Sequence, residues 1–195
     1  MGKSKKLSVK KEFGINLDCA MDAMEETLKI LKRAWDKAQF RDILHCALDM
    51  TDDTLMARIF LALDKGPSGF ISMEVWISSL SLLLRGTFEE HINYCFSVYD
   101  IMGDGILSRD TMTNLLKYSI VSQTAEDDAE ETARDLIEVI TKKMDIDRDG
   151  KISFNDYEQS VMKQPMLLEV FGQCLPTRTS IHTFTTTYVN AVGKM

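Results

Sequence analysis

The sequence predicts an all-α protein of two lobes, each a pair of helix–loop–helix units whose loops meet through a short β-bridge. Three observations lead there. Only 3 Pro and 10 Gly occur in 195 residues, so helices are seldom interrupted. A segment recurs with starts at Asp64, Asp100 and Asp145, each copy having Asp first, Gly sixth, an aliphatic residue eighth and Ser ninth. The copies are 36 and 45 residues apart, which suits tandem two-helix units, and apolar residues flank each at helical spacing.

Along the chain, residues 1–19 hold Lys3, Lys5, Lys6, Lys10 and Lys11 and are expected to form a basic, solvated, disordered arm. The first lobe is assigned to 20–85. Met21, Met24, Leu28, Leu31 and Trp35, then Phe40, Ile43, Leu44 and Leu48, mark two amphipathic helices with almost no loop between them, a unit whose binding loop has been lost. Met56, Ile59 and Leu63 line the helix entering loop 64–75, and Trp76, Ile77, Leu80, Leu83 and Leu84 the helix leaving it.

The second lobe is assigned to 86–164, with loops 100–111 and 145–156. Its entering helices show Ile92, Cys95 and Tyr99, and Ile137, Ile140 and Met144, at matching places. Leu115, Leu116, Ile120 and Val121 mark one exiting helix; the other runs from about Phe154 to the break before Pro165. The acidic run Glu126, Asp127, Asp128, Glu130 and Glu131 reads as a solvated linker. In the tail, 165–195, Leu167, Leu168, Val170 and Phe171 are expected to fold back onto an apolar groove of the second lobe.

The third loop explains why these residue types recur. Calcium is a hard cation that takes about six to eight oxygens. Asp145, Asp147 and Asp149 supply carboxylates, Lys151 a backbone carbonyl, Ser153 a hydroxyl or a bound water, and Asp156 closes the set. This is the EF-hand arrangement. Gly150 permits the sharp turn, and Ser153 with Asp156 forms the box that starts the exiting helix. Ile152 is expected to bridge to Leu107. The usual closing residue is Glu; Asp156 is one methylene shorter, so weaker calcium binding and magnesium competition are expected.

The other loops have lost ligands. The second keeps Asp100, Asp104, Gly105 and Ser108, but Met102 and Thr111 stand where oxygen donors belong, and it is expected to be a structural partner for the third. In the first, Gly66, Pro67, Ser68 and Val75 replace donors, and no ion is expected. One metal site per chain follows. Ion binding there is expected to change the angle between the helices, with Met112, Met144 and Met162 contributing to an exposed groove.

Other classes fit poorly. A formal charge of −7 argues against generic nucleic-acid binding, which needs a basic face. No apolar run approaches the ~18 residues of a membrane span, and the N-terminus lacks the apolar stretch of a secretory signal. Cys19, Cys46, Cys95 and Cys174 are far apart in sequence, so a reducing compartment is assumed. His45, His91 and His182 fall in unrelated segments and no phosphate loop appears, so neither an enzyme nor a small-molecule substrate is expected.

The stretches RDILHCALDMTDD, LSLLLRGTFEE, LIEVITKKMDIDRDGKISFNDYE and MLLEVFGQCLP resemble calaxins, the EF-hand dynein regulators of cilia and flagella, from about Phe40 to Pro176. The resemblance implies a fold related to calmodulin and the neuronal calcium sensors, and a cytoplasmic, cytoskeletal place on the axoneme. It implies outer-arm dynein, docking-complex proteins or tubulin as partners, with calcium tuning the beat. Met102, Thr111, Gly66, Val75 and the shortened first hand depart from that family, so a static docking subunit is the alternative. Gly2 resembles the myristoylated start of neuronal calcium sensors, which would make a membrane-associated sensor; Lys6 stands where Ser or Thr is wanted, so membrane attachment is not expected.

Overall fold

The computed structural model describes residues 34–121 and 126–192. The basic arm, Gly2, the expected helix through Met21, Met24, Leu28 and Leu31, and Cys19 lie outside the described residues.

Described elements run β1 (Trp35–Asp36), α1 (Lys37–Leu48), α2 (Asp53–Leu63), β2 (Phe70–Ile71), α3 (Met73–Arg85), α4 (Phe88–Tyr99), β3 (Ile106–Leu107), α5 (Arg109–Val121), α6 (Glu126–Met144), β4 (Ile152–Ser153), α7 (Phe154–Lys163) and α8 (Arg178–Val192), with a short 3-10 turn at Pro165–Leu167. Side chains set the helix starts. Asp36 with Gln39, Thr87 with Glu90 and Ser153 with Asp156 make reciprocal capping boxes, each satisfying backbone N–H groups that a first turn leaves open. Asp52 accepts the N–H groups of Thr54 and Leu55, both at 2.9 Å, to start α2.

Two antiparallel bridges join the units in pairs. Leu107 faces Ile152 across β3 and β4, as their places in the two loops predict. Trp35 faces Ile71 across β1 and β2, which corrects the reading of Trp35 as a helical residue. The strand before α1 pairs with the loop of the next unit. Trp35 lies 6.3 Å from Trp76 between ring centroids, and Trp76 meets Phe40 edge-on at 5.5 Å. Aromatic contacts of this kind add about 0.5–1.5 kcal/mol each beyond area burial, so the bridge is held by its side chains as well as its backbone.

A second correction concerns the acidic run from Glu126. It opens α6, a continuous helix from Glu126 to Met144, and is not a linker. No Gly or Pro interrupts this stretch, so nothing in it breaks a helix.

Buried apolar residues form one continuous core from Phe40 to Phe184. α2 packs on α4, joining the two hand pairs, while α5 packs along α6 and α7 against α4. The C-terminal segment divides. The turn at Pro165–Leu167 packs on α7, with Leu168, Phe171 and Cys174 buried behind it, and α8 then returns to α1 at the other end of the chain. Gly172 lies between the pairs with φ +132°, and a Cβ there would sit 2.3 Å from Leu55 Cδ1. Of the methionines assigned to a groove, Met112 and Met144 are core residues and Met162 is exposed.

Candidate metal centre

Loop 145–156 curls around its own carboxylates. Asp145 accepts the N–H of Asp149 at 3.2 Å through Oδ1 and that of Gly150 at 2.9 Å through Oδ2. Asp147 Oδ1 also accepts from Asp149 N–H at 3.2 Å, and Asp149 Oδ1 accepts from Lys151 N–H at 2.8 Å. Short acidic side chains favour such bonds to backbone a few residues on. Two left-handed residues complete the turn, Arg148 at φ 62° and Gly150 at φ 84°. The glycine does so without penalty, whereas the arginine costs about 1 kcal/mol that the surrounding bonds must offset.

The result is convergence of charge. One oxygen from each of Asp145, Asp147 and Asp149 lies within 4.8 Å of the others. The Asp149 N–H draws the Asp147 pKa down, but partial desolvation, the charges of Asp149 and Asp156 and the Asp145 carboxyl outweigh it, and the net shift is upward. Crowded hard oxygens with excess negative charge are the donor set a divalent cation fits.

Asp156 is placed differently. It is 3% exposed, sits in the first turn of α7 and falls outside the mutual 4.8 Å of the trio. Its Oδ2 accepts from Ser153 N–H at 3.1 Å and Ser153 O–H at 2.6 Å. With Oδ2 engaged, Oδ1 is the oxygen it has to offer an ion, which gives the shorter carboxylate a geometric as well as a chemical reason to close the set with one atom. Asp156→Glu is therefore expected to raise calcium affinity about tenfold and to weaken magnesium competition. Calorimetric titration with and without magnesium measures both; unchanged values would remove Asp156 from the ligand set.

The other two loops make similar turn bonds but bring together no such cluster of carboxylates among the described residues. Asp100 accepts from Gly103 and Gly105 N–H, each at 2.8 Å, and Ser108 and Thr111 pair their hydroxyls at 3.0 Å where a closing acid would stand. Met102 is 80% exposed. Asp64 accepts from Ser68 N–H at 3.0 Å, Ser68 O–H at 2.9 Å and Gly69 N–H at 2.7 Å. The Ser68 N–H in particular holds the Asp64 carboxyl below its ordinary pKa, the other two bonds assisting against slight desolvation.

Pro67 supplies a signal that the ligand count alone misses. The fourth loop position is left-handed at Gly103 (φ 68°) and Arg148 (φ 62°). Proline is locked near φ −65°, so the first loop cannot follow the same path, whatever its ligands.

Two tyrosines stand beside the loops; the sequence reading missed Tyr157 and took Tyr99 only as a residue of the entering helix's apolar face. Tyr157 follows Asp156 and donates its hydroxyl to the Leu168 carbonyl; Tyr99 precedes Asp100 and donates to the Gly172 carbonyl at 2.7 Å. Both bonds hold the segment after α7. The three histidines stand on separate helices, and His91 places a ring nitrogen 2.9 Å from the Leu82 carbonyl.

Comparison with known proteins agrees with this geometry. The family model for an EF-hand domain pair matches residues 89–162, which enclose both C-terminal loops. A calaxin of Xenopus laevis is 46% identical over 153 residues, 78% of this chain and 74% of that protein. A calaxin of Danio rerio is 45% identical over 149 residues, covering 76% and 71%. The chain belongs to the calaxin family. Guanylyl cyclase-activating protein 1 of Lithobates pipiens is more distant, at 27% identity over 128 residues, 66% of this chain and 62% of that protein. As a calcium-binding, calaxin-like EF-hand protein, the chain has the paired helix–loop–helix fold its repeats predict. Among its described residues no helix is long and apolar enough to cross a membrane.

Proposed function

We propose that this calaxin-family chain is a non-enzymatic calcium-responsive regulator of outer-arm dynein, seated on the ciliary or flagellar axoneme through dynein, docking-complex or tubulin contacts. The observation that carries the reading is the convergence of Asp145, Asp147 and Asp149 in a chain of calaxin sequence. In this reading those three residues, Asp156, the Lys151 carbonyl and Ser153 hold one ion. Bound calcium supplies the positive charge that relieves the crowding of their carboxylates.

The chain's own residues then provide the response. Asp156 lies in the first turn of α7, and the neighbouring Tyr157 is bonded to Leu168 in the tail. Any repositioning of α7 to bring Asp156 toward the trio pulls on that bond. The tail, α7 and α4 therefore respond together, which alters the surface offered to a partner.

A static docking subunit is the second reading, favoured by the lack of a matching carboxylate cluster in loops 64–75 and 100–111 among the described residues. One experiment separates the two and tests both. Purified chain is added to salt-extracted axonemal doublets in buffered low and high calcium, and the bound fraction is measured. The regulatory reading expects a calcium-dependent change in binding or in contacts with dynein chains that Asp145→Asn abolishes. Equal binding with the same contacts supports the static subunit, and no binding under either condition overturns the axonemal assignment.

A further inference from the structure

An open groove of about 660 Å³ lies where α2 meets α4 and is edged by residues of all three loops. Leu61, near the end of α2, and Ile101, in the second loop, stand on its walls, 57% and 48% exposed. Phe96 of α4 and Phe154 of the third loop line it as well and meet edge-on at 5.2 Å between centroids. Phe154 N–H donates to the Gly105 carbonyl at 3.1 Å, which ties the third loop to the second at the groove's edge. Asp64 and Asp100, the first residues of their loops, bring two carboxylates to the groove, and Lys65 offsets one of them. The ion site and the buried core leave Leu61 and Ile101 uncovered.

We propose that the chain's own basic arm seats in this groove, with the segment from Lys5 to Lys11 as its occupant. The sequence there is Lys-Lys-Leu-Ser-Val-Lys-Lys. Alternate residues of an extended chain share a face, so Leu7 and Val9 turn together to the apolar walls at Leu61, Ile101 and Phe96. A pair of lysines flanks them on each side, and Asp64 and Asp100 supply the opposite charge. Apolar burial and charge then favour the same seat.

The point where the described chain begins favours this occupant over a separate molecule. Ala34 precedes β1, β1 pairs with β2, and β2 belongs to the same loop, 64–75, as Asp64 and Lys65. Residues 12–33 separate the lysines from that point and span at most about 75 Å when extended. A tethered segment acts at an effective concentration on the order of millimolar, so a weak fit suffices to fill the groove. Seated there, the arm covers Leu61 and Ile101, and a lysine-rich segment of a partner has to displace it. Docking of the arm requires neither an ion in the third loop nor an axonemal partner.

Carbodiimide coupling reads the contact directly, because it joins a lysine amine to a carboxylate that touches it. The full chain in EDTA is coupled, monomer is separated from dimer, and linked peptides are identified by mass spectrometry. The expected links run from Lys5, Lys6, Lys10 or Lys11 to Asp64, Asp100 or Asp104 within the monomer. Leu7→Ser/Val9→Ser keeps every arm lysine and is expected to lower the yield of those links at least about fivefold. Leu61→Lys/Ile101→Lys, at two exposed positions, is expected to do the same from the side of the groove. The proposal is overturned if no such link forms, if the links occur only in the dimer, if arm lysines couple only to other carboxylates such as those of α6, or if Leu7→Ser/Val9→Ser leaves the yield unchanged. The arm variant alters no described residue, so it decides the matter even where the groove variant folds poorly.

Discussion

Asp145→Asn is expected to weaken calcium binding at least about 100-fold while leaving the metal-free fold intact. Gross attraction between one carboxylate and a divalent ion at contact is on the order of 10 kcal/mol at an effective dielectric of 20, most of it cancelled by dehydration. An uncancelled remainder of about 2.7 kcal/mol already amounts to 100-fold. Asparagine keeps the shape of the side chain and one oxygen acceptor. That oxygen can keep the bond from Gly150 N–H, while Asp149 N–H, which loses its bond to residue 145, retains Asp147 Oδ1 at 3.2 Å, so the turn should still form in the variant. Calorimetry measures the affinity. Thermal unfolding in EDTA provides the control, since calcium should raise the melting temperature of the native chain and not of the variant. An unchanged calcium affinity would exclude Asp145 as a ligand.

Phe171→Ala is expected to cost about 3–5 kcal/mol, the range for truncating a buried aromatic side chain. Phe171 is fully buried and meets Tyr99 edge-on at 5.3 Å between centroids. Its neighbour Gly172 lies against Leu55 of the first hand pair, so the loss should reach beyond the tail. Urea unfolding measures the stability, and trypsin cutting at Lys163 and Arg178 should become faster as the segment between them loosens. A loss below about 1 kcal/mol would mean that the site collapses around the vacancy or that the segment contributes little to the core.

Much of the site was legible because its code is local. Asp145, Asp147, Asp149 and Gly150 are neighbours in sequence, and an aspartate bonding backbone a few residues on determines the turn with little help from the rest of the molecule. The Leu107–Ile152 bridge was legible for a related reason, since both residues occupy the eighth place of their loops. Trp35 was misread because a helical apolar stripe and a short strand look alike over a few residues, and what decides is Ile71, far along the chain. The run from Glu126 was misread because solvated charge suits a linker and a helix N-terminus equally well.

The sequence alone thus determined the repeat, the clustered aspartates of the third loop, the departures at Met102 and Thr111, and the family. Tertiary structure decided what the tail does: that Tyr99 and Tyr157 hold it, that Gly172 meets Leu55, and that α8 returns to α1. The physical reason is the difference between the two kinds of interaction. Hydrogen bonds and ion ligands in a tight turn demand particular residues at particular spacings, whereas apolar burial is non-directional and accepts any surface of fitting shape. Where such a segment comes to rest is settled by which surfaces the rest of the fold leaves uncovered.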